Sequence, residues 1–190
     1  MSENGTIFKV RVDGLRELLI ARPPRDVRAE AKQSPEDKFE LNEDNHIIIR
    51  DTRIKSGLHT DFSKKMCVTR RHYKSTERNK AGMLMWGLLD FNPTEFPVMR
   101  DGVPIVFEGF GKNGVELDIR TAFGKGVPVE AERPCIMLPW YLEFLLTVYE
   151  TDEYNAMMAE TDLGRLGNIG IGSFNHMFGK FEVTQWEEVV

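Results

Sequence analysis

The order of strand and helix patterns constrains this fold more than any other feature of the sequence. Residues 6–13 alternate apolar and charged side chains, a period of two that is typical of a half-buried strand. Apolar residues 81–91 predict a buried helix that starts near Thr76 or Glu77 and ends before Pro93. The first half of the chain therefore offers a strand and, after a polar stretch, a helix.

The second half of the chain consists mainly of strand patterns. Strands are predicted over 103–110 and 115–121, joined at Asn113-Gly114, where both residues tolerate the positive φ of a tight hairpin turn. Four further elements follow: extended stretches at 127–138 and 140–149, a helix over 152–163 capped by Thr151, and a strand over 180–186. The order β-α-β-β-α-β predicts an α+β fold with a ferredoxin-like, split βαβ core and a mainly antiparallel sheet.

The composition predicts one domain over residues 1–190. With 41% hydrophobic residues, the chain can bury a core of its own. Residues 21–45 hold three prolines and dense mixed charge, which predicts a surface loop. Two widely separated cysteines and an N-terminus without a long apolar stretch favour a reducing, cytoplasmic location, away from the membrane.

Charge is strongly segregated along the chain. Residues 64–80 carry seven basic residues and one acid, whereas the remainder carries 18 basic and 29 acidic residues. This segment predicts a basic insertion over 51–80, in the form of a loop or hairpin. Cations bind phosphates and aromatic rings stack on bases, so the segment is a candidate nucleic-acid-binding element. Its candidate residues are Lys64, Lys65, Arg70, Arg71, His72, Tyr73, Lys74, Arg78 and Lys80. The alternatives are a solvated loop and a surface that docks an acidic protein.

A second candidate element is the glycine-rich stretch 164–183. Its glycines let the backbone bend and approach a ligand closely. It matches neither a P-loop nor a dinucleotide fingerprint, because the required Gly-Lys-Ser/Thr and strand-to-helix contexts are missing. The candidate contacts for phosphates or bases are Gly170, Gly172, Asn175, His176 and Lys180. The alternative is a purely structural glycine turn.

The sequence GIGSFNHMFGKFEVTQWE resembles the C-terminal signature of the RAMP proteins, the RNA-binding family of CRISPR effector complexes. In that family a glycine-rich loop precedes the final strand of a ferredoxin-like domain. The matching residues are Gly170, Gly172, Gly179, Lys180 and Phe181, with Lys180 standing where the family usually has arginine. The stretch is also similar to a group of uncharacterised phage proteins. The resemblance, which covers residues 133–187, implies an inserted basic hairpin and binding of single-stranded nucleic acid by a repeating oligomer.

Patterns for catalysis and metal binding are weaker. None of the four histidines has a partner at helical metal-ligand spacing, so no metal or other cofactor is expected. Some RAMP relatives cleave RNA with a histidine in a basic cluster, which makes His72 the candidate general base. The aromatic residues around 140–149 and 174–186 either stack bases or belong to the core.

The functional prediction is a non-enzymatic protein that binds single-stranded RNA or DNA. It is expected to act as a homo-oligomer or as a subunit of a larger complex. Two alternatives remain from the sequence. One is a phage structural or regulatory protein-interaction module, and the other is a metal-independent endoribonuclease that uses His72.

Overall fold

The computed structural model describes residues 5–20, 34–59, 87–124, 127–152, 154–171 and 177–189. In chain order, its strands are β1 (Thr6–Gly14), β2 (Leu18–Leu19), β3 (Ile48–Arg50), β4 (Leu89–Asn92), β5 (Glu95–Pro97), β6 (Met99–Arg100), β7 (Val103–Pro104), β8 (Val115–Gly124), β9 (Val127–Ile136), β10 (Tyr141–Val148) and β11 (Phe181–Glu188). The helices of the described residues are α1 (Asp51–His59), α2 (Ala156–Ile169) and a short 3-10 helix at Glu36–Lys38.

The main sheet is built around β10. Its order is β11-β1-β10, and the far edge of β10 pairs with β4 along one half and with β6 along the other. All of these pairings are antiparallel. Alternate residues of β1 and β10, such as Val10 and Leu142, are fully buried. An α+β fold with a mainly antiparallel sheet and a central strand at 140–149 is therefore confirmed.

The two helices pack on one face of the main sheet. Ile54 and Leu58 of α1 and Leu163 and Leu166 of α2 share one buried cluster with the inward residues of β1, β4 and β10. The helices also touch each other, because Gly57 leaves room for the Leu166 side chain. The opposite face of the sheet presents mainly charged and polar residues, with Ile7 and Leu145 exposed among them, and no described helix covers it.

A long hairpin is inserted ahead of β10. Strands β8 and β9 pair over ten residues each, and β2 adds to the base of the hairpin through Leu18 and Leu19. Val115 and Ile136 at the base are fully buried, whereas Ile119 further along is 52% exposed. The hairpin therefore grows out of the core, with its distal half reaching solvent.

The prediction of a helix over 81–91 is wrong at its end. Residues 89–92 form β4, in which Leu89 and Phe91 are buried while Asp90 and Asn92 are exposed. The end of the apolar run therefore alternates between buried and exposed residues, as a strand does, and pairing with β10 stabilises the strand over the helix. Residues 87–88 are helical, as predicted, and the earlier part of the predicted helix lies outside the described residues.

The C-terminal helix begins later than its sequence pattern suggests. Thr151 caps only a preceding turn, in which its hydroxyl accepts the Tyr154 N–H. Helix α2 starts after Asn155, whose side-chain oxygen accepts the Met158 N–H at 3.0 Å. The helix then runs to Ile169, so the first glycines of the glycine-rich stretch lie inside it. Strand β11 confirms the extended pattern over 180–186.

The turn at Asn113-Gly114 is confirmed, but the predicted partner strand is wrong. Both residues have positive φ, 51° and 67°, and they join Lys112 to Val115. Within 103–110 only Val103–Pro104 forms a named strand, since the chain then bends through glycines of positive φ. Strand β8 pairs with β9 instead.

Two of the predicted loop regions contain regular structure. In the stretch 21–45, Lys38 at the end of the short 3-10 helix and Phe39 directly after it are buried, so residues 34–45 are not simply a surface loop. The apolar side chain of Phe39 packs against the Phe107 ring, and this contact holds the stretch on the core. In the stretch 51–80, the first nine residues form α1, and the remaining ones lie outside the described residues.

Candidate nucleic-acid interface

Most of the sequence-predicted site residues lie outside the described part of the chain. They are Lys64, Lys65, Arg70, Arg71, His72, Tyr73, Lys74, Arg78, Lys80, Gly172, Asn175 and His176. The two that the structure describes, Gly170 and Lys180, flank the glycine-rich loop on either side. The structural site is therefore built from these two flanks and from what they contact.

The flanks of the glycine-rich loop are closed onto each other. Gly170 ends α2 with φ 99°, and its N–H donates to the Leu166 carbonyl at 2.7 Å. The N–H of Ile171 donates to the Gly179 carbonyl at 2.9 Å. Gly179 has φ 64°, and a side chain there would overlap the Ile171 carbonyl oxygen. These glycines are needed for backbone geometry.

The second flank is tied to the connection between β1 and β2. The Gly179 N–H donates to the Glu17 carbonyl at 2.7 Å, and the Lys180 carbonyl accepts the Leu15 and Arg16 N–H groups at 2.7 and 3.3 Å. The Arg16 carbonyl in turn accepts the indole N–H of Trp140 at 2.8 Å. Residues 14–18, 137–140 and 177–181 therefore meet at one end of the main sheet, and we call this place the loop junction.

Two cations of the loop junction have no anionic partner among the described residues. Arg16 is exposed and Lys180 is half-buried. Neither forms an ion pair with a described carboxylate, although Glu17 and Glu182 are neighbours in sequence. The backbones of Arg16 and Lys180 are hydrogen bonded to each other, so the two charged side chains extend from neighbouring backbone positions. An unpaired arginine beside an unpaired lysine can bind a phosphate.

The middle of the β8–β9 hairpin contacts the loop flank from another side. The guanidinium of Arg120 lies 4.5 Å from the centre of the Phe178 ring and bonds to Asp118 at 2.6 Å. The hydrogen bond to Asp118 raises the pKa of Arg120, whose charge is thus already compensated. Burial raises the pKa of Cys135, which packs against Phe178, to about 12, so this thiol stays protonated at neutral pH.

Arg100 fixes the turn that carries Leu138 and Pro139. Its guanidinium donates to the Pro139 carbonyl at 2.8 Å and also to the carbonyls of Met137 and Asn113. Desolvation by burial lowers its pKa, although three carbonyl oxygens receive its N–H groups. Arg100 is therefore a structural cation that ties two turns together.

The aromatic residues near the site belong to the core. Trp140, Tyr141, Phe144 and Phe181 are at most 9% exposed. They offer no open ring face for a base, so the alternative of core packing is the correct one for these four residues. Trp140 contributes instead by holding the Arg16 carbonyl.

Arg16 is the functional candidate that sequence reasoning missed. It stands alone between Leu15 and Glu17 and belongs to no motif. The strand-breaking Gly14 marks a turn, but only the bond to Lys180 places Arg16 at the glycine-rich loop. Among the described residues, no group of three His, Cys, Asp or Glu side chains could hold a metal ion. No helix in that part of the chain is long and apolar enough to cross a membrane.

Comparisons with known proteins identify the fold. No protein-family model matches the chain, and a search of curated proteins also found no match. Among solved structures, the chain is similar to one in the cryo-EM structure of the Type III-B Cmr-beta bound to cognate target RNA. The TM-score is 0.60 at 15% identity, over 99% of this chain and 62% of the other. This chain thus spans about three fifths of the length of its structural neighbour, and the likeness supports a distant RAMP-like fold.

Proposed function

We propose that this protein binds single-stranded RNA without cleaving it, as a homo-oligomer or as a subunit of a larger complex. The observation that carries the proposal is that Arg16 and Lys180, neither of which has an ion pair among the described residues, lie next to each other at the loop junction. Phosphate contacts by such cations dominate the affinity of nucleic-acid-binding proteins and make it depend on salt. The structural neighbour comes from an RNA-bound complex, which favours RNA over single-stranded DNA.

The proposal includes a ferredoxin-like core. Strands β1, β4, β10 and β11 lie in the order β11-β1-β10-β4, and all pairs are antiparallel. Helix α1 lies between the first two of these strands in sequence and α2 between the last two. This order of elements supports a split βαβ arrangement with the β8–β9 hairpin as an insertion.

The basic segment 64–80 is the second part of the proposed interface. Its seven basic residues stand against an otherwise acidic chain. Net charge alone would repel a nucleic acid, but local patches decide where an anionic chain binds. We assign backbone contacts to its lysines and arginines and base contacts to Tyr73 and His72. Gly172, Asn175 and His176 complete the proposed site in the glycine-rich loop.

Fluorescence anisotropy tests the proposal with labelled single-stranded RNA and DNA about 30 nucleotides long, a length that spans several single-strand sites. Titrations at two salt concentrations compare the wild-type protein with Arg16→Glu/Lys180→Glu and with Arg70→Glu/Arg71→Glu. We expect binding that weakens with salt and is about a hundredfold weaker in each double variant, about tenfold for each reversed charge. If the protein binds neither the RNA nor the DNA probe at low salt, the proposed function is contradicted.

The same samples distinguish the two alternative functions. RNA recovered after incubation without metal is expected to be intact on a denaturing gel. Cleavage that disappears in His72→Ala would favour an endoribonuclease instead. A discrete protein complex without any nucleic-acid affinity would favour a protein-interaction module.

A further inference from the structure

The loop junction exposes four large apolar side chains beside its two cations, which have no ion pair among the described residues. One of the four is Met177, which is 48% exposed and whose sulfur receives a guanidinium N–H of Arg120 at 3.9 Å, so the other three are the ones without such a contact to the hairpin. Leu15, Met137 and Leu138 are 48%, 36% and 42% exposed. Isolated exposed apolar residues are ordinary on protein surfaces. Here, however, Leu15, Met137 and Leu138 belong to two of the three segments that meet at the loop junction. Exposed apolar side chains that are concentrated in this way are typical of a binding site.

Backbone hydrogen bonds fix the positions of these side chains. The Gly14 N–H donates to the Trp140 carbonyl at 2.8 Å, at the end of the antiparallel pairing between β1 and β10. Leu15 follows Gly14 in the chain, and Leu138 lies two residues before Trp140. Because β1 and β10 are antiparallel, Leu15 and Leu138 both lie beyond this bonded pair, at the same end of the two strands. Met137 donates its own N–H to the Gly114 carbonyl at 2.8 Å.

The cations stand directly beside this apolar surface. Arg16 follows Leu15, and the Leu15 N–H is bonded to the Lys180 carbonyl at 2.7 Å. The ligand that fits must therefore carry a negative charge next to a flat apolar group. A nucleotide in a single strand has both, because its phosphate is charged and its base presents a π-face. In a duplex the base is stacked on its neighbours and does not reach such a surface.

We propose that Leu15, Met137 and Leu138 form an apolar platform for an unstacked base, while Arg16 and Lys180 bind the adjoining phosphate. This inference rests on the proposed function, since it names which part of a single-stranded nucleic acid the loop junction contacts. It predicts that the site prefers single strands to duplexes.

Two RNA probes of equal charge test the platform. One is oligouridylate of about 15 nucleotides, within the range of a single-strand binding site, and the other is an abasic ribose-phosphate chain of the same length. The test variant is Leu15→Ser/Leu138→Ser. The control is Ile7→Ser/Met157→Ser, which removes two exposed apolar side chains elsewhere on the surface, 39% and 71% exposed. Far-UV circular dichroism and the melting temperature check that all of the variants are folded.

The wild-type protein is expected to bind oligouridylate about fivefold more tightly than the abasic chain, a ratio typical of a contact with one base. The Leu15→Ser/Leu138→Ser variant should lose this ratio and bind both probes with the abasic affinity, whereas the control should keep it. Equal affinity of the wild-type protein for both probes would overturn the inference, and so would an unchanged ratio in the leucine variant.

The same experiment shows separately whether the proposed function is wrong or only the apolar platform. If neither probe binds, or if Arg16→Glu/Lys180→Glu leaves binding unchanged, the nucleic-acid site itself is refuted. A polyglutamate peptide that binds more tightly than either RNA probe and depends on the same leucines would overturn the base platform. That result would assign the surface to an acidic protein.

Discussion

Arg11 and Arg16 lie on the same stretch of chain but meet different surroundings. Arg11, on the open face of the main sheet, bonds to Asp13 at 2.8 Å and to Glu143 at 3.4 Å. Its guanidinium also lies 3.8 Å from the centre of the Tyr141 ring. Arg16, at the loop junction, has no ion pair with a described carboxylate. Within the described part of the chain, the fold therefore neutralises Arg11 and gives Arg16 no carboxylate partner.

The two surfaces differ in the same way as the two arginines. Along β10 and β11 the open face presents Glu143, Glu182 and Glu187, and their charges repel a phosphate backbone. The loop junction instead presents two cations and four exposed apolar side chains. The comparison teaches that the number of arginines on a surface does not locate an anion site. What locates it is where two cations without an ion pair among the described residues lie next to each other, as Arg16 and Lys180 do.

The largest expected effect comes from breaking the geometry of the loop junction at Gly179. Its positive φ and the overlap of an added side chain with the Ile171 carbonyl should make Gly179→Ala cost about 3 kcal/mol of unfolding free energy. Gly164→Ala is the matched control, because that helical glycine has nothing within 4 Å of an added Cβ. It should gain up to about 1 kcal/mol. Urea denaturation measures both, and equal effects of the two variants would refute this account of the junction.

The next effect concerns Arg100, whose partners are neither carboxylates nor phosphates. Arg100→Ala removes the donor from three backbone carbonyls and should cost about 2 kcal/mol of unfolding free energy. Arg100→Lys should recover less than half of this loss, because an ammonium group lacks the planar fork. Thermal unfolding measures the variants. Full recovery by lysine would show that charge alone, without the geometry of the guanidinium, holds the two turns.

A single charge reversal on each surface sharpens the comparison. Arg16→Glu should weaken binding of single-stranded RNA about tenfold, since it replaces a phosphate contact by repulsion. Lys9→Glu is the matched control on the open face of the main sheet, where Lys9 is exposed and has no described ion pair. It should change the affinity less than about twofold, the limit for a screened distant charge. Equal losses measured by anisotropy would mean that only net charge matters.

The smallest effect is the pH dependence of the Arg11–Asp13 pair. The hydrogen bond from Arg11 lowers the pKa of Asp13 below its usual value of 3.8, and a bond from Thr184 adds to this. A lowered pKa stabilises the folded state above pH 3.8, and this contribution is lost as the pH falls through the folded-state pKa.

Arg11→Gln should therefore cost up to about 1 kcal/mol at neutral pH and less in acid. Urea denaturation at pH 6 and pH 3 gives the two values. A cost that is the same at both pH values would show that Arg11 contributes through packing on Tyr141 and not through the carboxylate.

Local patterns in the sequence predicted the long strands well, but they also predicted a strand over 103–110 that is mostly not formed. The alternation at 6–13 and 140–149 and the turn at Asn113-Gly114 depend on neighbouring residues, so they can be read without the fold. β4 was not predicted, because its leucine-rich surroundings suit a helix and only pairing with β10 makes it a strand. The candidate site shows the same limit. Lys180 was found by its glycine-rich context, whereas Arg16 gains its role from a hydrogen bond to a residue far along the chain.

The salt dependence of RNA binding tests the central claim most directly. The slope of log affinity against log salt concentration counts the phosphates that a protein neutralises, at about 0.7 per contact for single strands. Replacing both cations in Arg16→Gln/Lys180→Gln should reduce the magnitude of this slope by about 1.4, which corresponds to two lost contacts. An unchanged slope, whatever happens to the affinity, would contradict the assignment of these two residues to the phosphate backbone.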